Sequence, residues 1–246
     1  MNAERKVAVV TGGGTGIGRA TCIRLAQTGC DVALIYSRSA EQADQTMHDV
    51  VQLGRQAMAI RADVSDKAQV NAAFEQVILQ WGQLNYLVNN AAITRQLPFN
   101  DLDLVTDEIW DVLLSVNLKG SFNCSHAAAP HLRKQAGSAI VNVGSIAGET
   151  GFGSSLPYAV SKAAVHGLTR SLARALAPSI RVNCIAPGAV DTRWWVGHED
   201  KMRQISGTLP LERISTPEDI AEAICFLLTA PSLTGQVIKA ENGQTL

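Results

Sequence analysis

The feature that most constrains this chain is a glycine-rich turn set between a strand and a helix near its start. Val7-Ala8-Val9-Val10 is a short apolar run that leads into Thr11-Gly12-Gly13-Gly14-Thr15-Gly16-Ile17-Gly18. A helical pattern follows, with apolar side chains at Ile17, Ala20, Ile23, Leu25 and Ala26. Such a turn can bring backbone N–H groups against a pyrophosphate at the positive end of a helix, because glycines allow close approach. The spacing is Gly12-x3-Gly16-x-Gly18 rather than G-x-G-x-x-G, so alone it also fits an ordinary strand-to-helix turn.

The rest of the chain repeats the alternation. Short apolar runs lie at residues 32–36, 57–62, 86–89, 139–143, 181–186 and 236–240. Several are apolar at consecutive positions, as expected for strands covered on both faces. Between them, Val70, Ala73, Phe74, Val77, Ile78 and Trp81 recur at helical spacing. Thr216-Pro217-Glu218-Asp219 spells a helix start, with a capping hydroxyl, proline at the first helical position and an acid near the positive end. The pattern predicts an α/β fold, a Rossmann-like doubly wound sheet of seven parallel strands with helices on both faces. No linker, repeat or low-complexity segment divides it, so one domain is expected over 1–246.

Composition narrows the function classes. A net charge of −1 argues against a nucleic-acid partner, which needs clustered cations. No apolar run approaches the roughly 18 residues that span a bilayer. The first residues lack the apolar core of a signal peptide, so a cytoplasmic protein with no membrane partner is expected. The five cysteines are odd in number and lack CxxC spacing. That pattern fits neither a disulfide framework nor a zinc site. His126, His131, His166 and His198 form no metal-spaced set, and no metal is expected.

The candidate chemistry sits in the second half. Ser145 follows the strand at 139–143, Tyr158 comes 13 residues later, and Lys162 follows at i+4. Residues 158–176 read as a helix, which puts Tyr158 and Lys162 on one face. Reducing a carbonyl takes hydride from one side and a proton from another. A free tyrosine, with a pKa of about 10, exchanges protons poorly at neutral pH, and a nearby ammonium favours the phenolate. A hydroxyl such as Ser145 can hydrogen-bond an oxygen on which negative charge develops. By itself, Y-x-x-x-K is more often a helix-surface pair. Asn117 interrupts an apolar helical stretch over 109–122, and by itself is equally a satisfied polar residue.

Together these residues resemble the short-chain dehydrogenase/reductase family over essentially the whole chain. The matching motifs are Thr11-Gly12-x3-Gly16-Ile17-Gly18, Asp63-Val64, Asn89-Asn90-Ala91-Ala92, Asn117, Ser145, Tyr158-x3-Lys162, Asn183 and Pro187-Gly188. The resemblance implies a catalytic tetrad. In it, Tyr158 is the acid in reduction and the base in oxidation, Lys162 lowers its pKa and binds the nicotinamide ribose, Ser145 polarises the carbonyl, and Asn117 holds a water in a proton relay. It also implies cofactor contacts from Gly12, Thr15, Gly16, Ile17 and Gly18 to the phosphates. Tyr36, Ser37 and Arg38 would meet the adenosine ribose, and Asp63 and Val64 the adenine. Asn90, Ala91 and Ala92 would flank the cofactor, with Ala92 standing where the family usually has glycine. Pro187, Gly188, Val190 and Thr192 would meet the nicotinamide end.

NAD-dependent relatives usually carry a carboxylate at the end of the second strand, where this chain has Tyr36. Arg38 and Ser37 can instead bind a 2′-phosphate, so NADP(H) is the expected cofactor, with NAD(H) as the alternative. Substrate contacts are expected from Phe152, Trp194 and Trp195, within or beside a lid segment at about 187–210. The two tryptophans are equally explained by packing in the core or between subunits. The overall pattern is most similar to 3-oxoacyl-(acyl-carrier-protein) reductases and related carbonyl reductases. The expected activity is reduction of a ketone or 3-oxoacyl carbonyl to a secondary alcohol. Arg133 and Lys134 are candidates for docking a carrier, although a small ketone is as good a substrate. Alternatives are an alcohol dehydrogenase running oxidatively and a non-catalytic cofactor sensor. The family resemblance also implies a homotetramer.

Overall fold

The computed structural model describes residues 5–193 and 199–246. Its strands are β1 (Lys6–Thr11), β2 (Cys30–Tyr36), β3 (Ala57–Arg61), β4 (Tyr86–Asn89), β5 (Ala139–Val143), β6 (Arg181–Pro187) and β7 (Val237–Ala240). They form one parallel sheet in the order β3-β2-β1-β4-β5-β6-β7. The expected seven-stranded doubly wound architecture is thus present, with strand ends shifted by a residue or two.

Alternation along each strand feeds two cores. Val7, Val9, Ala33, Ile35 and Leu87 point to one face, where they meet Phe74, Leu132 and Ile180. Ala8, Val10, Val32, Leu34 and Val88 point to the other, against Leu25, Ile220 and Ile224. Both faces are dry because helices cover both, which is why the runs are apolar at consecutive positions. Each fully buried Leu, Ile or Phe contributes about 1.5–3 kcal/mol relative to exposure. The first face carries α3 (Lys67–Trp81), α5 (Ser121–Leu132) and α7 (Leu156–Leu176), and the second carries α1 (Gly16–Gln27), α2 (Ala40–Gln52) and α9 (Pro217–Thr229). The start of α9 is a capping box: Asp219 N donates to Thr216 Oγ1 at 3.2 Å, and Thr216 N donates to Asp219 Oδ2 at 2.7 Å.

Strand order reverses between β1 and β4, so their C-terminal ends open a crevice where α/β sheets bind ligands. Two local features shape it. The stretch read from sequence as one helix over 109–122 is instead α4 (Asp107–Leu114), a π-helical turn (Ser115–Gly120) and then α5. The wider turn accommodates Asn117, which is 1% exposed. Gly120 lets Val64 approach, since a Cβ there would lie 2.6 Å from Val64 Cγ2. Ala92 does not adopt positive φ, so the glycine usual in relatives is not required at this position. Two short helices, α6 (Ala147–Thr150) and α8 (Glu199–Ser206), lie near the same edge of the sheet. Among the described residues, no helix is long and apolar enough to cross a membrane.

Candidate active site

The crevice is a cavity of about 630 Å³. Its floor is the glycine turn, laced to the end of β4. Thr11 Oγ1 accepts the backbone N–H of Asn90 and of Ala91, each at 3.0 Å. Asn90 Nδ2 returns bonds to Thr11 O at 2.9 Å and Gly12 O at 3.1 Å. Gly18 sits behind this turn rather than in the cavity wall. A Cβ there would lie 2.1 Å from Gly12 O, so the helix can dock on the turn only with glycine. Thr15, Gly16 and Ile17 do line the cavity. Thr15 makes no side-chain cap to α1, and the first turn of α1 holds no acid. Its N–H groups therefore face the cavity as an anion cradle.

One end of the cavity is lined by Tyr36 at the end of β2, by Ser37 and Arg38 after it, and by Asp63 and Val64 after β3. Asp63 Oδ1 accepts from Ser65 N at 2.9 Å and Ser65 Oγ at 2.6 Å, which fixes that loop. Among the described residues, the charged lining side chains are Arg38, Arg95, Lys162 and Arg193 against Asp63 alone. An electropositive crevice with an N-terminal helix cradle suits a ligand bearing phosphates.

At the other end, β5 stops at Val143 and the chain turns outward through Ser145. Ser145 Oγ accepts Ala147 N at 3.1 Å, which orients its hydroxyl. Helix α7 starts where Ser155 Oγ accepts Tyr158 N at 3.3 Å. That start puts Tyr158 and Lys162 one turn apart against Ser145, whose hydroxyl hydrogen-bonds the Tyr158 side chain. Lys162 is 4% exposed and donates from Nζ to Val143 O at 2.8 Å, with Nζ 5.8 Å from the centre of the Tyr158 ring. Burial pushes Lys162 down to about 8, against a smaller opposing influence of Cys184. Burial likewise pushes Tyr158 up to about 12, with the Ser145 bond acting the other way. The direction is opposite to the lowering expected from sequence. The ammonium is held on a backbone carbonyl, and desolvation of the phenol outweighs it.

Asn117 also lies behind the wall. Its Oδ1 accepts Ile93 N at 2.9 Å, and its Nδ2 donates to Ile93 O and to Ser161 Oγ, each at 3.0 Å. The side chain thus clamps the segment after β4 to α7. A second buried chain runs alongside, from Asn89 Nδ2 to Asn142 Oδ1 at 2.8 Å and from Asn142 Nδ2 to Thr169 Oγ1 at 2.9 Å.

Phe152 forms the side wall and packs on Phe99, with ring centroids 4.8 Å apart. Thr94 and Ser154 are joined through their hydroxyls, and Leu97 N donates to Ser154 O at 2.9 Å. Pro187, Gly188, Val190 and Thr192 line the opposite side, with Ile205 of α8. Ala91 and Ala92 line the middle beside Asn90. Trp194 and Trp195, named from sequence as substrate contacts, lie outside the described residues. Sequence reasoning missed Gln244 and Arg193. Gln244 Oε1 accepts Ala189 N at 3.0 Å from the far end of the chain, a contact with no short-range signal. Arg193 stands between Thr192 and Trp194, both named from sequence, and its contact with Ser39 spans 154 positions.

The arrangement joins an anion-binding floor to an apolar wall, with a half-buried hydroxyl pair and a buried ammonium at the inner end. The sequence profile described as short chain dehydrogenase matches residues 6–203. The 3-oxoacyl-(acyl-carrier-protein) reductase of Staphylococcus aureus is 38% identical over 97% of this chain and 97% of its own. A short-chain dehydrogenase/reductase from Serratia marcescens superposes with a TM-score of 0.90 at 34% identity, covering 98% of each chain. A short chain dehydrogenase from Burkholderia cenocepacia, solved in complex with NADP, gives 0.89 at 37% identity over 98% of each chain.

Proposed function

The chain belongs to the short-chain dehydrogenase/reductase family and is an oxidoreductase, and from that premise we propose that it reduces a ketone or 3-oxoacyl carbonyl to a secondary alcohol with NADPH. The observation that carries the reading is the Ser145–Tyr158 hydroxyl pair at the inner end of an electropositive crevice, with Lys162 buried beside it. Thr15, Gly16 and Ile17 would hold the pyrophosphate, Asp63 and Val64 the adenine, and Thr192 the nicotinamide end. NADPH, when bound, supplies the hydride. Ser145 donates to the substrate oxygen and stabilises the charge that develops there. Tyr158 is protonated across the neutral range and is the proton donor of this reading, although burial holds its phenol high and so weakens it as an acid. Lys162 neutralises the phenolate left after transfer, and Asn117 keeps the catalytic helix in register with the segment after β4. Its side-chain amide is engaged by Ile93 and Ser161, and its backbone carbonyl accepts Ser121 Oγ at 2.9 Å, so the water relay we assign to Asn117 would use that carbonyl's second lone pair.

NADP(H) preference follows from the absence of a carboxylate at Tyr36 and the presence of Ser37 and Arg38 beside it. The reductases in the comparisons are named for 3-oxoacyl substrates, and the Phe99–Phe152 wall suits an apolar acyl chain or a small ketone. Exposed Phe122 on α5 and Val160 on α7, together with Phe226 on α9 and Ile238 on β7, supply apolar contact surface for the proposed homotetramer. The test is NADPH oxidation by purified protein across 3-oxoacyl thioesters, cyclic ketones and diketones, repeated with NADH. Turnover of one class, faster with NADPH, supports the reading. Turnover with NADH alone, or only of alcohols with NADP⁺, overturns it.

A further inference from the structure

We propose that Arg193 is a specificity residue for the cofactor, closing the adenosine end of the crevice and sharing the 2′-phosphate with Arg38. The inference rests on the NADP(H) reading above.

Arg193 follows Thr192, whose side chain lies over the glycine turn, since a Cβ on Gly16 would sit 3.3 Å from Thr192 Cγ2. From that side the Arg193 side chain crosses the crevice and donates from Nη1 to Ser39 Oγ at 3.3 Å, a contact between residues 154 positions apart. Ser39 is the N-cap residue of α2 and adjoins Arg38. Its hydroxyl makes no cap to its own helix, so the contact that orients it is the one from Arg193. Arg38, Ser39 and Arg193 all line the same cavity. Arg193 therefore reaches from the loop after β6 to the turn after β2 that carries Arg38.

The chemistry fits a phosphate monoester. A guanidinium carries five N–H donors, so a bond to Ser39 is compatible with a bidentate contact to phosphate. NADPH and NADH differ only by the phosphate on the adenosine 2′-oxygen, which belongs at the end of β2 in this fold. Asp63 is the lone carboxylate among the described lining residues, and Ser65 engages it. Glu41, in the first turn of α2, is exposed and does not line the crevice. A second guanidinium is thus positioned where it discriminates between the two cofactors.

The test measures dissociation constants for NADPH, NADH, 2′,5′-ADP and 5′-ADP with wild type, Arg193→Gln and Arg174→Gln. Arg174 lies in the last turn of α7, away from the cavity, and controls for the loss of one positive charge. The proposal expects Arg193→Gln to weaken NADPH and 2′,5′-ADP by about tenfold, as for one charge-assisted contact. NADH and 5′-ADP should change by less than about twofold, and Arg174→Gln should change neither. Equal weakening of both members of each pair would assign Arg193 to the pyrophosphate and overturn the proposal, as would no change. If wild type itself binds NADPH and NADH equally, the NADP(H) reading falls and the inference falls with it.

Discussion

The two ends of the crevice are built from different materials. The nucleotide end is mostly backbone: the turn from Thr11 to Gly18, tied down by Asn90 and completed by the open first turn of α1. The proposed reactive end is mostly side chain, half-buried at Ser145 and Tyr158 and buried at Lys162, held by bonds to the main chain or to each other. A backbone site tolerates many sequences but no added Cβ where elements touch. A side-chain site tolerates shape changes nearby but not loss of the titrating group. Substitutions at the first end should therefore move cofactor affinity and stability, and those at the second should move turnover.

The largest effect should come from Tyr158→Phe, which removes the proposed proton donor and little volume. Turnover should fall about a thousandfold, while NADPH affinity stays within about twofold; comparable losses in both would erase the contrast between the ends. Next comes the pH dependence of stability. Lys162 titrates near 8 in the folded protein, below its ordinary 10.5, so between those values the unfolded chain binds the more protons. Stability contributed by this site is therefore missing below about pH 8 and recovers as pH rises toward 10.5. Measured by urea unfolding of cofactor-free protein, the difference between wild type and Lys162→Met should shift toward wild type by on the order of 3 kcal/mol across that window. A flat difference would mean the ammonium is not desolvated.

At the nucleotide end, Gly18→Ala forces a Cβ against Gly12 O. It should cost about 1–3 kcal/mol and weaken NADPH binding more than it slows bound turnover. Asn117→Ala leaves the Ile93 backbone groups and Ser161 without their partner. It should destabilise by about 2 kcal/mol, read as a lower thermal midpoint, and should lower kcat with little change in NADPH affinity. The smallest effect belongs to Phe152→Ala, because Phe152 is 66% exposed. KM for an apolar ketone should rise about threefold, with stability unchanged within about 0.5 kcal/mol.

The same contrast explains what could be read from sequence. Strand positions and helix placement were legible because β1, β2, β4, β5 and β6 are buried on both faces and read as apolar runs, whereas the edge strand β7 is half exposed. The glycine turn was legible because close backbone approach leaves glycine as the residue that fits, and Gly18 is the clearest case. Ser145, Tyr158 and Lys162 were legible as a spaced set on one strand end and one helix face. The clamp from Asn117 to Ile93 and Ser161 was not, since its partners lie 24 and 44 positions away. Nor was the π-helical turn that admits Asn117, because an apolar pattern over 109–122 reads as one regular helix. The direction of the Tyr158 shift was missed for a physical reason. Spacing reports that a lysine is near, but not that its ammonium rests on the Val143 carbonyl while burial acts on the phenol.

The most direct test of the two-ended account is a crystal structure of the protein with NADP⁺ and the alcohol product of whichever ketone it reduces. The account predicts that Tyr158 Oη and Ser145 Oγ both lie within about 3 Å of the product oxygen, with the nicotinamide on the opposite side of the reacting carbon and the adenosine phosphate at Arg38. A product oxygen turned away from this pair, toward Arg95 at the rim, would contradict it.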